Sequence, residues 1–175
     1  MTSGRSRILA ALILTCASPI ILGSTDLSSN RTARLLAAHN RERDAAGLPS
    51  LRWNDQLADS SRAWAEHLKR LGTLVHYKPD PRNPDPEGEN LWAGTRRHYS
   101  PEAMVGLWIS GKKHYKPGLF PGNSKTGRVD DVGHYTQVMW RSTSHVGCAV
   151  TENSKEEFLV CRYSEGGNVI GEQPF

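Results

Sequence analysis

Cysteine and histidine are the residue types here that bear most directly on chemistry. Of the three cysteines among 175 residues, Cys16 stands in an apolar N-terminal run, while Cys148 and Cys161 lie thirteen positions apart near the other end. In an oxidising compartment such a pair forms a disulfide by default; otherwise the two remain buried free thiols. Closing so short a loop stabilises a fold by about 3 kcal/mol in the chain-entropy account. Seven histidines supply imidazoles, which ligate zinc or carry protons near neutral pH. Serines such as Ser110 and Ser144 sit in no recognisable nucleophile motif, so local pattern assigns no covalent mechanism. His98, His114 and His145 read as surface residues, and His39 and Asn40 as helix-packing residues.

The first residues indicate the compartment. Arg5 and Arg7 precede the apolar run Ile8 to Leu14, and Thr15 and Ala17 have the small-residue spacing of a cleavage site, with a second candidate after Gly23. Residues 1–23 are therefore expected to be a signal peptide, 24–32 a linker and 33–175 the folded domain. The apolar stretch is shorter than the roughly 20 residues that span a bilayer, and Pro19 interrupts it, so no transmembrane anchor is expected after processing. Lipoprotein processing at Cys16 fits poorly, because Ile13-Leu14-Thr15 lacks the usual small residue before the cysteine. The expected location is extracellular, or periplasmic in a Gram-negative bacterium, which favours the disulfide. Losing Arg5 and Arg7 lowers the net charge from +4 to +2. The densest basic cluster, Lys112, Lys113 and Lys116, reads as a solvated face, so no nucleic-acid partner is expected.

Helix signals dominate the first two thirds. Leu35, Leu36, His39 and Asn40 recur at helical spacing behind a cap at Ser29 or Asn30, and Gly47-Leu48-Pro49 ends the run. Asn54 caps a second helix carrying Leu57, Ser61, Trp64, Ala65 and Leu68 on one stripe as far as Gly72. Ser100-Pro101-Glu102 starts a third, with Met104, Val105, Leu107 and Trp108 as its apolar face. Between the second and third, Pro79, Pro81, Pro84 and Pro86 enforce a stiff surface loop, and 115–132 is irregular and rich in glycine and proline. His145–Val150 and Glu157–Tyr163 flank a polar turn and read as a hairpin. Both faces of its second strand are apolar, which requires helices on each side. The fold class is α+β, a three-layer α-β-α sandwich around a small antiparallel sheet.

Several motifs recur in a familiar order. Ala37-Ala38-His39-Asn40 and Leu51-Arg52-Trp53 are followed by Leu74-Val75-His76 and Gly88-Glu89-Asn90-Leu91-Trp92. Gly133-His134-Tyr135-Thr136-Gln137-Val138-Met139-Trp140, Val160-Cys161-Arg162-Tyr163 and the ending from Gly167-Asn168 complete the set. Together they resemble the CAP superfamily of cysteine-rich secretory proteins, antigen 5 and pathogenesis-related 1 proteins, in the SCP-domain form and with a plant-type pathogenesis-related 1 ending. The resemblance covers about residue 33 to 175 and implies the same three-layer fold. Eukaryotic relatives usually carry more bridges, so this chain reads as a stripped-down member.

The resemblance also implies a central cavity of two histidines and two glutamates. Carried over, these are His76, His134, Glu89 and, at the second glutamate position, Gly111. The implied metal ligands His76, His134 and Glu89 are left as an incomplete set. Loss of a carboxylate around such a site lowers metal affinity by about 10–100-fold, so zinc binding is expected to be weak at most, with Gly111→Glu strengthening it where the helix accepts the side chain. A hydrogen-bonded polar cluster is the alternative. The family reading favours a secreted, non-catalytic module that binds a sterol, another lipid or a partner; its alternative is a metal-dependent or Ser-His-Glu peptidase or esterase using the same cavity. For the ligand loop, Tyr115, Leu119 and Phe120 are the expected contacts, or else they tuck beneath the loop. The tail, released as a messenger in plant relatives, is expected here to pack against the sheet.

Overall fold

A computed structural model describes residues 24–84 and 86–175. The expected signal peptide lies outside the described residues. Helix α1 spans Ser24–Ala45, so the stretch read as a linker belongs to its first turns, and Ser29 and Asn30 lie inside it. No glycine or proline intervenes before Gly47, and serine and asparagine disfavour a helix interior only mildly. Helix α2 spans Asp55–Leu71, capped by the Asn54 side chain, which accepts from the Leu57 amide. Gly72 closes it in the left-handed region at φ 68°, donating its amide to the Leu68 carbonyl at 2.8 Å. Helix α3, Pro101–Ile109, has Ser100 as its cap and buries Met104, Val105 and Trp108. Leu107, expected on that face, points to solvent. A 3-10 turn, Ser110–His114, continues α3; a second, Val129–Asp131, leads into a short helix α4, Gly133–Val138.

The strands are β1 (Arg52–Trp53), β2 (Gly88–Thr95), β3 (His145–Glu152) and β4 (Glu156–Ser164), in the sheet order β1-β3-β4-β2. All pairings are antiparallel except β1 on β3, which is parallel, an addition to the expected antiparallel sheet. Cys148 and Cys161 are direct cross-strand partners and form the disulfide, with Cα atoms 4.1 Å apart.

Helix α2 covers one sheet face. Its Ala65 and Leu68 pack with Leu91, Phe158 and Val160, and Ser61 Oγ donates to the Gly147 carbonyl at 2.8 Å. On the other face, Leu35 and Ala38 of α1, Trp108 of α3 and Val138 of α4 close over Val146, Cys148, Leu159, Cys161 and Tyr163. Each buried Leu or Val stabilises this arrangement by about 1.5–3 kcal/mol. The three layers are those expected.

One buried cation ties the layers together. Arg43 of α1 is fully buried and donates to the carbonyls of Pro49, Val138, Trp140 and Thr143 at 2.8–3.2 Å. It thereby satisfies carbonyls at the end of α4 that have no helical partner. Burial pulls its pKa down to about 10. Asn40 brackets Leu51, donating to its carbonyl and accepting from its amide, which is the packing role expected of it.

Candidate functional site

Glu89 lies near the start of β2, opposite Arg162 of β4. Its Oε1 accepts from His76 Nδ1 at 2.8 Å and from the Tyr77 amide at 3.1 Å. Its Oε2 lies 3.3 Å from Arg162 Nη2. Arg162 also donates from Nη1 to Glu87 Oε2 at 2.8 Å, and its guanidinium stands over the Tyr77 ring, 4.5 Å from the centroid. The Glu89 and Arg162 side chains are 10% and 8% exposed, against 63% for His76. The hydrogen bond to Glu89 raises the His76 pKa above its ordinary value.

His134 opens α4 and stacks on Trp108, with centroids 6.3 Å apart and planes 17° apart. Trp108 is held in turn by Nε1 donating to the Leu91 carbonyl at 2.9 Å. Burial, and then the like charge of His76, hold the His134 pKa below its usual value. The His134 carbonyl accepts from Asn90 Nδ2 at 3.0 Å, and the same amide reaches Tyr163 Oη at 3.3 Å. Tyr163 lies 2.9 Å from His39 Nε2, while His39 Nδ1 donates to the Leu35 carbonyl at 2.8 Å. A continuous buried chain of hydrogen bonds thus runs from α1 through the sheet to α4, confirming His39 as a packing residue.

Of the four expected cavity positions, three lie close together and the fourth carries no side chain. His76 and Glu89 are bonded to each other, and His134 lies near them on α4. Gly111 sits in the 3-10 turn, and a Cβ there would stand 2.8 Å from the Asp131 carbonyl oxygen and 3.2 Å from Tyr135 Cβ. Backbone already fills the space a second glutamate would enter, so the expected gain from Gly111→Glu does not follow. Among the described residues, no three His, Cys, Asp or Glu side chains are grouped to hold a metal ion. Neither Ser110 nor Ser144 heads a relay. Ser110 Oγ donates to the Leu107 carbonyl. Ser144 Oγ lies 2.8 Å from His145 Nδ1, but Glu165 reaches the serine, at 3.5 Å, and not the imidazole.

The expected ligand loop divides its residues. Tyr115 stacks on Phe175 with centroids 5.0 Å apart and meets Tyr135 edge-on, so it belongs to the support. Phe120 is half-buried; its amide donates to the Glu172 carbonyl at 2.8 Å, and its own carbonyl accepts from Gly171 at 2.9 Å. Leu119 is 58% exposed, and these bonds bring the loop beside the tail residues Val169 and Ile170, exposed by 41% and 82%. Tuck-under therefore describes Phe120 and not Leu119. The tail begins on the sheet, where Gly166 lies against Gly88 of β2, and then lands on α4 and the loop: Asn168 Nδ2 donates to the Gly133 carbonyl, Thr136 Oγ1 donates to Asn168 Oδ1, and the Arg141 amide donates to the Pro174 carbonyl.

Sequence reasoning missed Arg162, Val169 and Ile170. A charged residue inside the apolar run Phe158 to Tyr163 was the available signal for Arg162; the tail pair carried none without the loop beside it.

A profile of the CAP, or cysteine-rich secretory protein, family matches residues 36–163. The chain belongs to the CAP family. Among CAP relatives, a pathogenesis-related protein of PR-1 type from Sambucus nigra is 30% identical, covering 95% of each chain. Pathogenesis-related protein 1C of Nicotiana tabacum is 32% identical over 89% of this chain and 88% of its own. Venom allergen 5 of Polistes dominula is 32% identical over 73% of this chain and 56% of its own. The crystal structure of NaASP2 with Zn2+ shares the CAP fold at a TM-score of 0.66 and 20% identity, covering 83% of this chain and 84% of that one. BmVAL-1 does so at 0.65 and 21%, covering 90% and 85%.

Proposed function

We propose that this CAP protein is exported and works as a non-catalytic binding module, contacting a lipid through the surface that Leu119, Phe120, Val169 and Ile170 build together. Export is supported by the apolar N-terminal segment, the disulfide and a family named for secretion. No helix among the described residues is long and apolar enough to cross a membrane. The observation that carries the reading is the exposure of Leu119 and Ile170 on a firmly braced support. Exposed apolar side chains grouped on an ordered base mark contact sites. Brackets of hydrogen bonds brace the loop, from the Lys116 amide to Asn123 and from the Lys125 amide to His114. A groove of about 710 Å³ between Pro84 and Val169 opens beside the tail and shares Val169 with the surface.

Cosedimentation with phospholipid vesicles, with and without sterol, tests the reading. Wild type binds, and Leu119→Asp and Ile170→Asp each lose about 10-fold or more in affinity, as expected from removing a buried Leu or Ile contact. His134→Ala retains binding. Peptidase or esterase turnover by wild type that disappears in both His76→Ala and His134→Ala would overturn the module reading.

A further inference from the structure

We infer that the His76, Glu89 and His134 cluster of this chain is closed to zinc by its own guanidinium, that of Arg162. The donors support this. Glu89 Oε1 is occupied by His76 Nδ1 and the Tyr77 amide, and Oε2 faces Arg162 Nη2 at 3.3 Å. The remaining donors are the imidazoles of His76 and His134. Two neutral nitrogens fall short of the three protein ligands that hold zinc in open sites, and the position of the second carboxylate is Gly111, whose surroundings are filled.

Charge points the same way. A zinc ion beside Glu89 would lie close to a positively charged guanidinium that is 8% exposed. Arg162 cannot swing aside cheaply: Glu87 holds one nitrogen and the Tyr77 ring covers its face. Glu89 Oε2 and Arg162 Nε are both buried without a hydrogen-bond partner. The guanidinium charge, 3.3 Å from Oε2 at Nη2, compensates that carboxylate as a metal does elsewhere. The cation beside Glu89 is thus covalently built in, as residue 162.

Zinc chloride titrated into chelator-treated mature protein, by calorimetry and by thermal unfolding, tests the inference. Wild type shows no saturable one-to-one heat and no shift in Tm between zinc and EDTA. Arg162→Gln keeps a donor for Glu87 while freeing Glu89, so zinc affinity rises by at least about 10-fold, the scale on which one carboxylate acts at such sites, and adding His76→Ala removes the gain. Wild type that binds one zinc, and loses it in Glu89→Gln, overturns the inference outright. A folded Arg162→Gln with no zinc response overturns the role given to Arg162. Should that variant not fold, Arg162→Lys retains the charge and is expected to stay blind to zinc; zinc binding there overturns the inference.

Discussion

The cluster around Glu89 and the surface around Leu119 stand in opposite relation to the rest of the chain. In the cluster, most polar groups are answered from within the molecule, His76 and Arg162 by glutamates and Asn90 by His134 and Tyr163, while Glu89 Oε2 and Arg162 Nε make no hydrogen bond. At the loop and tail the backbone is paired and the apolar side chains are not, so Ile170 is left 82% exposed. The two regions share α4, which carries His134 on one side and receives the tail through Gly133 and Thr136 on the other. The difference teaches where spare binding capacity lies. A buried polar network paired largely within itself specifies a structure, whereas an exposed apolar group on a rigid base retains free energy for a partner.

Acid separates the regions with the largest effect. Burial pushes the His39 pKa down to about 4, against an ordinary value near 6.5, so the imidazole is neutral in the fold and takes up a proton once the chain unfolds. Its contribution is therefore complete above about pH 6.5 and is lost as pH falls toward 4, amounting to about 3 kcal/mol across that window. His76, shifted upward by Glu89, runs the other way: its contribution is present at low pH and is lost as pH rises through the raised value. Its exposed ring keeps that contribution small. Urea unfolding at pH 7 and pH 4.5 measures the slope. His39→Gln, which can still donate to Leu35 and accept from Tyr163, should flatten it, and an unchanged slope would place the acid lability in another group.

Much of this architecture was legible because local rules and packing agree. Asn54 bounds α2 by its capping side chain and Gly72 by its left-handed backbone, Ser100-Pro101 starts α3, and Cys148 and Cys161 meet where the hairpin register puts them. Helix α4 was not legible, since six residues beginning with glycine make a poor helix alone; Arg43 from ninety-five residues away completes it. The candidate site was read through resemblance, which named His76, Glu89, His134 and the missing glutamate. It gave no hint that Arg162 faces Glu89, because that contact depends on strand register. Nor did it show that the tail would land on α4, because the partners of Asn168 come from another segment.

An intermediate effect is expected at Gly111, which packs against Asp131 and Tyr135. Helix propensity alone says that alanine should stabilise this position by up to about 1 kcal/mol. Packing says the reverse: a Cβ 2.8 Å from a backbone carbonyl oxygen forces a shift of the kind that costs about 1–3 kcal/mol. Packing wins by magnitude, so Gly111→Ala should lower Tm. A variant more stable than wild type would show that the 3-10 turn yields easily, and would reopen Gly111→Glu as a route to the second carboxylate.

The smallest stability effect belongs to the surface, and that smallness is the point. Leu119→Asp and Ile170→Asp replace side chains that are 58% and 82% exposed, so they remove little packing and bury no charge. Surface substitutions of this kind usually change stability by no more than about 0.5 kcal/mol. The same substitutions must lose lipid binding if the surface is the contact, because an aspartate pressed against an apolar ligand has to be desolvated. Thermal unfolding and vesicle binding on one preparation therefore measure two independent things. Stability held within that margin while binding falls assigns the loss to the surface itself. A fall in Tm of many degrees would instead mean that Leu119 and Ile170 brace the loop against the tail, and that their exposure marks a structural seam and not a contact.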